Sequence, residues 1–226
     1  MQPNDLVNAI FEFVLLIFSL SVHECAHAWT ASRLGDQTAR MEGRVTLNPV
    51  VHVDPLGTLL LPGLMIFGPF IGLGMLGGFL IGWAKPCPVN TRFFRKIVRD
   101  DTLVTLAGPA SNLLIALCAF TIYAALLFAE YRLHILDPQL TYVAGAELLC
   151  GLAMQINIML FLFNLLPIPP LDGSRIVRHH LPYNWLNTYD HLGIFSYVLM
   201  IFVGAPIIGV LLNPAMGLVY GALSRI

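Results

Sequence analysis

Two histidines and a glutamate near the start of the chain have the spacing of a metal-dependent hydrolytic site. They form His23-Glu24-Cys25-Ala26-His27, which fits the pattern H-E-x-x-H. On a helix, residues four apart project from one face, so both imidazoles can bind one metal ion. The Glu24 carboxylate, about 100° round the helix, can then activate a water molecule. The motif predicts a zinc site; the alternative is two histidines at a helix end with no metal.

The motif lies within a segment that predicts a membrane-spanning helix, residues 6–34. Such a helix would be about 43 Å long, enough to cross the hydrocarbon layer, and Gly35 is suited to a left-handed cap at its end. Titratable side chains are costly at membrane depth and persist there when they pair, bind or react. The position of the motif therefore favours a functional metal site.

The composition is that of a membrane protein. Of the 226 residues, 57% are hydrophobic and 11% charged, and the mean hydropathy is +0.77. A soluble domain usually carries about 25% charged residues. The four cysteines form no C-x-x-C pair, which argues against a disulfide framework. We expect an all-α polytopic membrane protein with a single domain over residues 1–226, and no nucleic-acid partner.

Residues 45–84 are apolar but interrupted by many glycines and prolines, which penalise a helix interior. We expect a re-entrant loop or an even number of crossings, packed over the metal-binding helix, because irregular backbone at that depth needs protein or water around it. His52 and Asp54 lie at its start. They are candidates for a pair that contacts the substrate or supports the metal ligands, and the alternative is an interfacial turn with a solvated histidine.

A second spanning helix is predicted over residues 102–130. It opens with the small residues of Leu106-Ala107-Gly108-Pro109-Ala110-Ser111-Asn112, which permit close helix approach. The Asn112 amide needs a partner in such surroundings. Two interpretations stay open, a hydrogen bond between helices and an active-site role.

A third spanning helix is predicted over residues 146–166, where a proline-rich stretch from Pro167 ends it. Asp172 is thus presented from an unwound segment at the same depth as the histidine motif. His179 and His180 follow close to arginines, and we interpret them as interfacial residues rather than metal ligands.

The last apolar run, residues 192–212, is expected to cross the membrane once more, with Asn213-Pro214 separating it from a short terminal segment. Basic residues set the orientation. By the positive-inside rule the N-terminus is external and the H-E-x-x-H end faces the cytoplasm. The residues behind this assignment follow the first helix and are Arg33, Arg40 and Arg44.

Three stretches agree with one another and together resemble the site-2 protease family of intramembrane zinc metalloproteases. The similarity also covers residues 82–86 and the glycine- and proline-rich segment before them. The three stretches are His23-Glu24-x-x-His27, Gly108-Pro109-x-x-Asn112 and Asn164-x-x-Pro167-x-x-x-x-Asp172-Gly173.

The resemblance implies a three-helix catalytic core, within about residues 6–181, and an additional C-terminal membrane segment at about 192–226. It implies that His23, His27 and Asp172 bind one zinc ion per chain and that Glu24 is the catalytic carboxylate. Two imidazoles and one carboxylate leave the fourth zinc position open for water, as in catalytic sites. Unlike larger members of the family, we expect this chain to have no PDZ or nucleotide-sensing domain.

The implied function is hydrolysis of peptide bonds in transmembrane substrates, within or near the bilayer of a prokaryotic cell membrane. Asn112 or Asn164 could donate a hydrogen bond to the developing oxyanion, although Asn164 could equally stabilise the helix break. Two other functions remain open: a metal-ion transporter or channel, and a proteolytically silent membrane scaffold. The oligomeric state is left open.

Overall fold

The computed structural model describes residues 3–73, 82–135, 140–192 and 194–225. This part of the chain is helical, without strands, and its irregular stretches connect the helices. The α-helices are α1 (Pro3–Leu34), α2 (Thr38–Met41), α3 (Leu61–Phe67), α4 (Ile97–Tyr131), α5 (Thr141–Asn164), α6 (Asp172–Arg178), α7 (Tyr183–Asp190), α8 (Ile194–Leu199) and α9 (Ala205–Leu223).

Four segments among the described residues are long and apolar enough to cross a membrane. Large apolar side chains on their outer faces, such as Val14 and Leu114, are exposed, as expected of surfaces that face lipid. The fold is therefore that of an all-α polytopic membrane protein, as the composition predicted. The four segments are Asp5–Leu34, Ile97–Tyr131, Tyr142–Asn164 and Phe202–Leu223.

Helices α1, α4 and α5 pack together as the expected three-helix core. Leu20 of α1 packs in one buried cluster with Leu160 of α5. Close by, the Asn157 amide of α5 donates a 2.9 Å hydrogen bond to the Ser19 hydroxyl of α1, and both residues are fully buried. Such bonds between helices are favourable in a membrane because the alternative is an unpaired polar group in hydrocarbon.

The glycine- and proline-rich segment is broken, as its sequence predicted. It contains a π-helical turn at Pro55–Leu60, then α3, then a 3-10 turn at Gly68–Ile71. Together these pieces are shorter than a straight spanning helix, and they pack against α1 through an edge-to-face contact of Phe13 with Phe67. The prediction of a re-entrant loop or an even number of crossings also falls on residues 74–81, which lie outside the described part.

The chain returns to the core as an irregular segment, residues 82–90, anchored to the loop before α3. The Trp83 N–H donates to the Gly57 carbonyl at 3.0 Å, and the Lys85 N–H donates to the His52 carbonyl at 2.8 Å. A side chain on Gly57 would overlap the Trp83 ring, so glycine is needed for this close approach. These contacts fix the segment against the loop before α3.

The predicted break at Asn213-Pro214 was wrong, since Pro214 lies inside α9. The discontinuity occurs earlier, at the π-helical turn Met200–Gly204, and Pro206 lies in the first turn of α9, where proline costs no hydrogen bond. Proline within a spanning helix is tolerated when neighbouring helices and local adjustments satisfy the freed carbonyl. The C-terminal span is thus a later, continuous helix.

Candidate active site

The structure brings three ligand-type side chains to one point. Helix α1 holds His23 and His27 four residues apart, with their Nε2 atoms 3.0 Å from each other. Oδ2 of Asp172 lies 3.1 Å from Nε2 of His23 and 3.2 Å from Nε2 of His27. Tetrahedral ligands about 2 Å from a zinc ion lie roughly 3.3 Å apart. The spacing of the three atoms therefore fits a shared zinc ion.

An unpaired carboxylate oxygen of Asp172 also fits a bound zinc ion. Its Oδ2 is buried and has no hydrogen-bond partner among the described residues. A buried, ionised oxygen without a donor is costly unless a cation binds it. The donor set suits zinc.

Asp172 reaches this point because the chain breaks after α5. The helix ends at Asn164, the Pro169–Pro170 peptide is cis, and the new helix α6 starts at Asp172. A Cβ on Gly173 would overlap carbonyls of residues 165 and 166, so glycine permits α6 to turn back against the end of α5. The proline stretch thus redirects the chain and places the carboxylate opposite α1.

Helix α4 orients both imidazoles from behind. The Nδ1–H of His27 donates to the Val104 carbonyl at 2.7 Å. A Cβ on Gly108 would overlap Nε2 of both histidines, so the absence of a side chain there makes room for the two rings. The small residues predicted to allow close helix approach therefore lie directly against the metal motif.

Asn112 contacts His23 on its other ring nitrogen. The amide nitrogen lies 3.2 Å from Nδ1 of His23, and the buried Oδ1 has no donor among the described residues. The rotamer turned by 180° has the same shape and lets Oδ1 accept from Nδ1–H, which leaves the Nε2 lone pair for a metal. Of the two roles predicted for Asn112, the contact favours orientation of a ligand over oxyanion binding.

This orientation of the amide gives a test at Asn112. The Asn112→Leu variant should bind zinc about 10- to 100-fold more weakly, because it loses the acceptor for Nδ1–H of His23. The Asn112→Asp variant should keep most of the affinity, since a carboxylate oxygen accepts the same proton. Zinc affinity measured by chelator competition checks both. Equal losses in the two variants would contradict an acceptor at this position.

Glu24 borders a cavity of about 290 Å³ that opens beside the metal-ligand cluster. Its Oε2 accepts a 3.1 Å hydrogen bond from the backbone N–H of Cys87, so the 82–90 segment holds the carboxylate in place. Burial, followed by the charge of Glu24, raises the pKa of the Cys87 thiol to about 12, which leaves it protonated and unsuited to nucleophilic attack. The cavity is also lined by Trp83, Leu160, Phe163, Asn164 and Arg175.

The other predicted site residues have different surroundings. Asn164 borders the cavity, and its amide donates to the Leu160 carbonyl at 2.9 Å within α5. His52 and Asp54 do not line this cavity. His52 is buried and bonded to the Thr46 carbonyl, so a solvated histidine was wrong, and Asp54 caps the turn that follows it. Their contribution to substrate handling stays a prediction.

Sequence reasoning missed several groups that support the site. Two are backbone groups, the Val104 carbonyl and the Cys87 N–H, and backbone groups carry no signature in residue type. A third is Asp101, whose carboxylate binds Arg175 of α6 and His179, the residue that follows this helix. The sequence shows Asp101 only as a charged residue two helical turns before Gly108. The adjacent Asp100 has the same side chain, so residue type does not distinguish the two.

The fold and this cluster define a class of protein, a multi-pass membrane protein with two histidines and one carboxylate placed so that they could hold a metal ion. Residues 11–203 match the model of peptidase family M50. The chain therefore belongs to peptidase family M50, the site-2 protease family, and is a zinc metalloprotease.

Curated relatives agree with this assignment. The chain is 41% identical over 169 residues to "Putative zinc metalloprotease YwhC" of Bacillus subtilis (strain 168), over 75% of this chain and 68% of that protein. It is 33% identical to "Putative zinc metalloprotease Rip2" of Mycolicibacterium smegmatis and 37% identical to the protein of the same name of Mycobacterium tuberculosis. The matches cover 75% of this chain and 58% of each Rip2 protein. No solved structure matches the chain.

Proposed function

We propose that this zinc metalloprotease hydrolyses peptide bonds of transmembrane substrates near the cytoplasmic edge of a prokaryotic cell membrane. The observation that carries the proposal is the convergence of His23, His27 and Asp172 inside a bundle of spanning helices. His27 lies seven residues before the end of α1, or about 10 Å along the helix axis. At that depth a site is close to water and also within reach of a substrate in the bilayer.

In the proposed site, His23, His27 and Asp172 hold the zinc ion, and Glu24 is the general base. Zinc held there would polarise the scissile carbonyl and make water a stronger nucleophile. The Glu24 carboxylate accepts the proton of the attacking water and then delivers it to the leaving amine. The Cys87 N–H fixes the carboxylate against α1, so that the proton has a defined acceptor.

The cavity supports an unwound substrate. A helix with its side chains is about 10–12 Å across, and a space of about 290 Å³ admits only a few residues. A helical peptide bond is also shielded by its own hydrogen bonds and side chains. The substrate must therefore unwind locally. Residues 82–90 form an irregular segment beside the cavity, against which the unwound peptide can lie.

Cleavage of membrane peptides by the purified protein tests the proposal. A panel of single-span peptides in lipid nanodiscs should yield fragments cut near the cytoplasmic end of the span, and the Glu24→Gln protein should yield none. Cells that carry the native protein should contain fragments of membrane proteins that are absent from cells carrying Glu24→Gln. These fragments would identify the natural substrates. Zinc transport without Glu24-dependent fragments would support a transporter and overturn the protease proposal.

The orientation of the four spans gives a further prediction. With the basic residues after α1 inside, the N-terminus is external, and four crossings return the C-terminus to the outside. Alkaline phosphatase fused after residue 225 should be active in a bacterial host, whereas a fusion in the α6–α7 region should be inactive. The reverse pattern would place the metal centre at the external face.

A further inference from the structure

The metal centre depends on a short helix that cannot fix its own position. Helix α6 has seven residues, Asp172–Arg178, and follows the proline-broken stretch. Isolated helices of this length are unstable in water, and most helical stability comes from tertiary contacts. Asp172 is the first residue of α6, so the direction of its carboxylate depends on whatever holds this helix.

A buried carboxylate on α4 holds α6 through two side chains. Oδ1 of Asp101 accepts from the Arg175 guanidinium, and Oδ2 accepts from Nε2 of His179 at 2.8 Å. The side chain of Asp101 is only 6% exposed. Arg175 is three residues and His179 seven residues after Asp172, so all three lie on one face of the helical turn. Asp101 therefore binds the face that carries the metal-site carboxylate.

The same face of α4 supports the two histidines. Asp101, Gly108 and Asn112 are seven and four residues apart, a spacing that puts them on one side of a helix. Gly108 and Asn112 contact the imidazoles of α1, while Asp101 binds the helix of Asp172. One rigid helix thus sets the relative positions of all three ligand residues.

We propose that Asp101 is a positioning residue for the metal centre, which acts by fixing α6 so that Asp172 faces His23 and His27. It touches neither substrate nor metal. The inference rests on the proposed ligand set and adds to it a residue outside the H-E-x-x-H, Gly-Pro and Asp-Gly motifs.

A second ion pair on α6 provides a matched control. Arg178 donates two hydrogen bonds to Asp190 of α7, at 2.8 and 2.7 Å. Both partners are exposed, 48% and 39% by side chain. Arg178 is six residues after Asp172, about 120° round α6 from it, and its partner is Asp190 rather than Asp101. Asp190→Asn therefore removes an arginine contact from the same helix without changing Asp101 or Asp172.

The test measures zinc affinity of the full-length protein in detergent, by chelator competition, for four variants. Asp101→Asn keeps the size of the side chain but loses one acceptor oxygen and the charge. We expect it to weaken zinc binding about tenfold or more, and Asp190→Asn to leave it unchanged. The remaining variants are Asp172→Asn alone and Asp172→Asn combined with Asp101→Asn.

The combined variant separates positioning from a general structural effect. If Asp101 acts through Asp172, then Asp101→Asn should change zinc affinity less than about twofold once Asp172 is replaced, since coupled residues are not additive. Equal weakening in both backgrounds, or no weakening in the native one, overturns the proposal. If Asp172→Asn itself leaves zinc affinity unchanged, the ligand set of the proposed function fails instead.

Folding is checked by gel filtration and thermal unfolding without added zinc. Should Asp101→Asn aggregate, Arg175→Gln and His179→Gln each remove one of the two hydrogen bonds and are put through the same comparison. They must weaken zinc binding in the native background and have little effect in the Asp172→Asn background. Aggregation of all three variants makes Asp101 a residue of the fold alone and overturns a positioning role.

Discussion

Replacing Glu24 with glutamine should lower the rate of peptide hydrolysis by about 10²- to 10⁴-fold, the usual contribution of a general acid–base group. Glutamine has the shape of glutamate, and its amide oxygen can still accept from the Cys87 N–H. It cannot take up a proton at neutral pH. The loss should therefore appear in kcat, measured on a purified membrane peptide, while zinc content stays at one ion per chain.

Glu12→Gln is the matched control, because it makes the same change on the same helix. Glu12 is partly buried in α1 and does not border the cavity. Its replacement should leave the rate within about twofold of the native one, as expected of a group without a part in proton transfer. Equal rates for the native and Glu24→Gln proteins would assign the base to another group. A loss of zinc in Glu24→Gln would instead indicate a structural defect.

The local part of the site could be predicted from sequence because helical spacing alone determines it. His23 and His27 share a face whenever residues four apart are in a helix, and membrane depth then favours function. Asp172 is distant in the chain, and its prediction came from the proline break and the family resemblance. The structure adds the distances of 3.1 and 3.2 Å that bring it to the two imidazoles.

The supporting contacts could not be predicted, because they depend on which surfaces of α4 meet α1 and α6. Asp100 and Asp101 are both buried and adjacent, yet only Asp101 binds α6, while Asp100 accepts from the backbone of Lys96. Likewise, Pro214 was expected to end a helix on local propensity. Propensity is a weak guide where the surroundings satisfy the backbone, and α9 continues through it.

A single methyl group on Gly108 should remove the zinc site. In Gly108→Ala the new Cβ would overlap Nε2 of both His23 and His27, and the Val104 carbonyl and Asn112 restrain the rings against moving aside. We expect at least about a 100-fold loss of zinc affinity, at the upper end of what changes around a metal site cost, and a comparable loss of hydrolysis. Chelator competition and metal analysis of the purified protein measure the first effect.

Gly145→Ala distinguishes this steric effect from a general response to glycine replacement. Gly145 lies in α5, where an added Cβ meets no atom within 4 Å. Both substitutions remove a glycine from a helix interior and so gain about 0.5–1 kcal/mol of helix stability. A difference between the two variants must then come from contact with the imidazoles. If Gly108→Ala binds zinc as the native protein does, α4 does not determine where the two rings lie, and the ligand-orienting contacts of Val104 and Asn112 lose their significance as well.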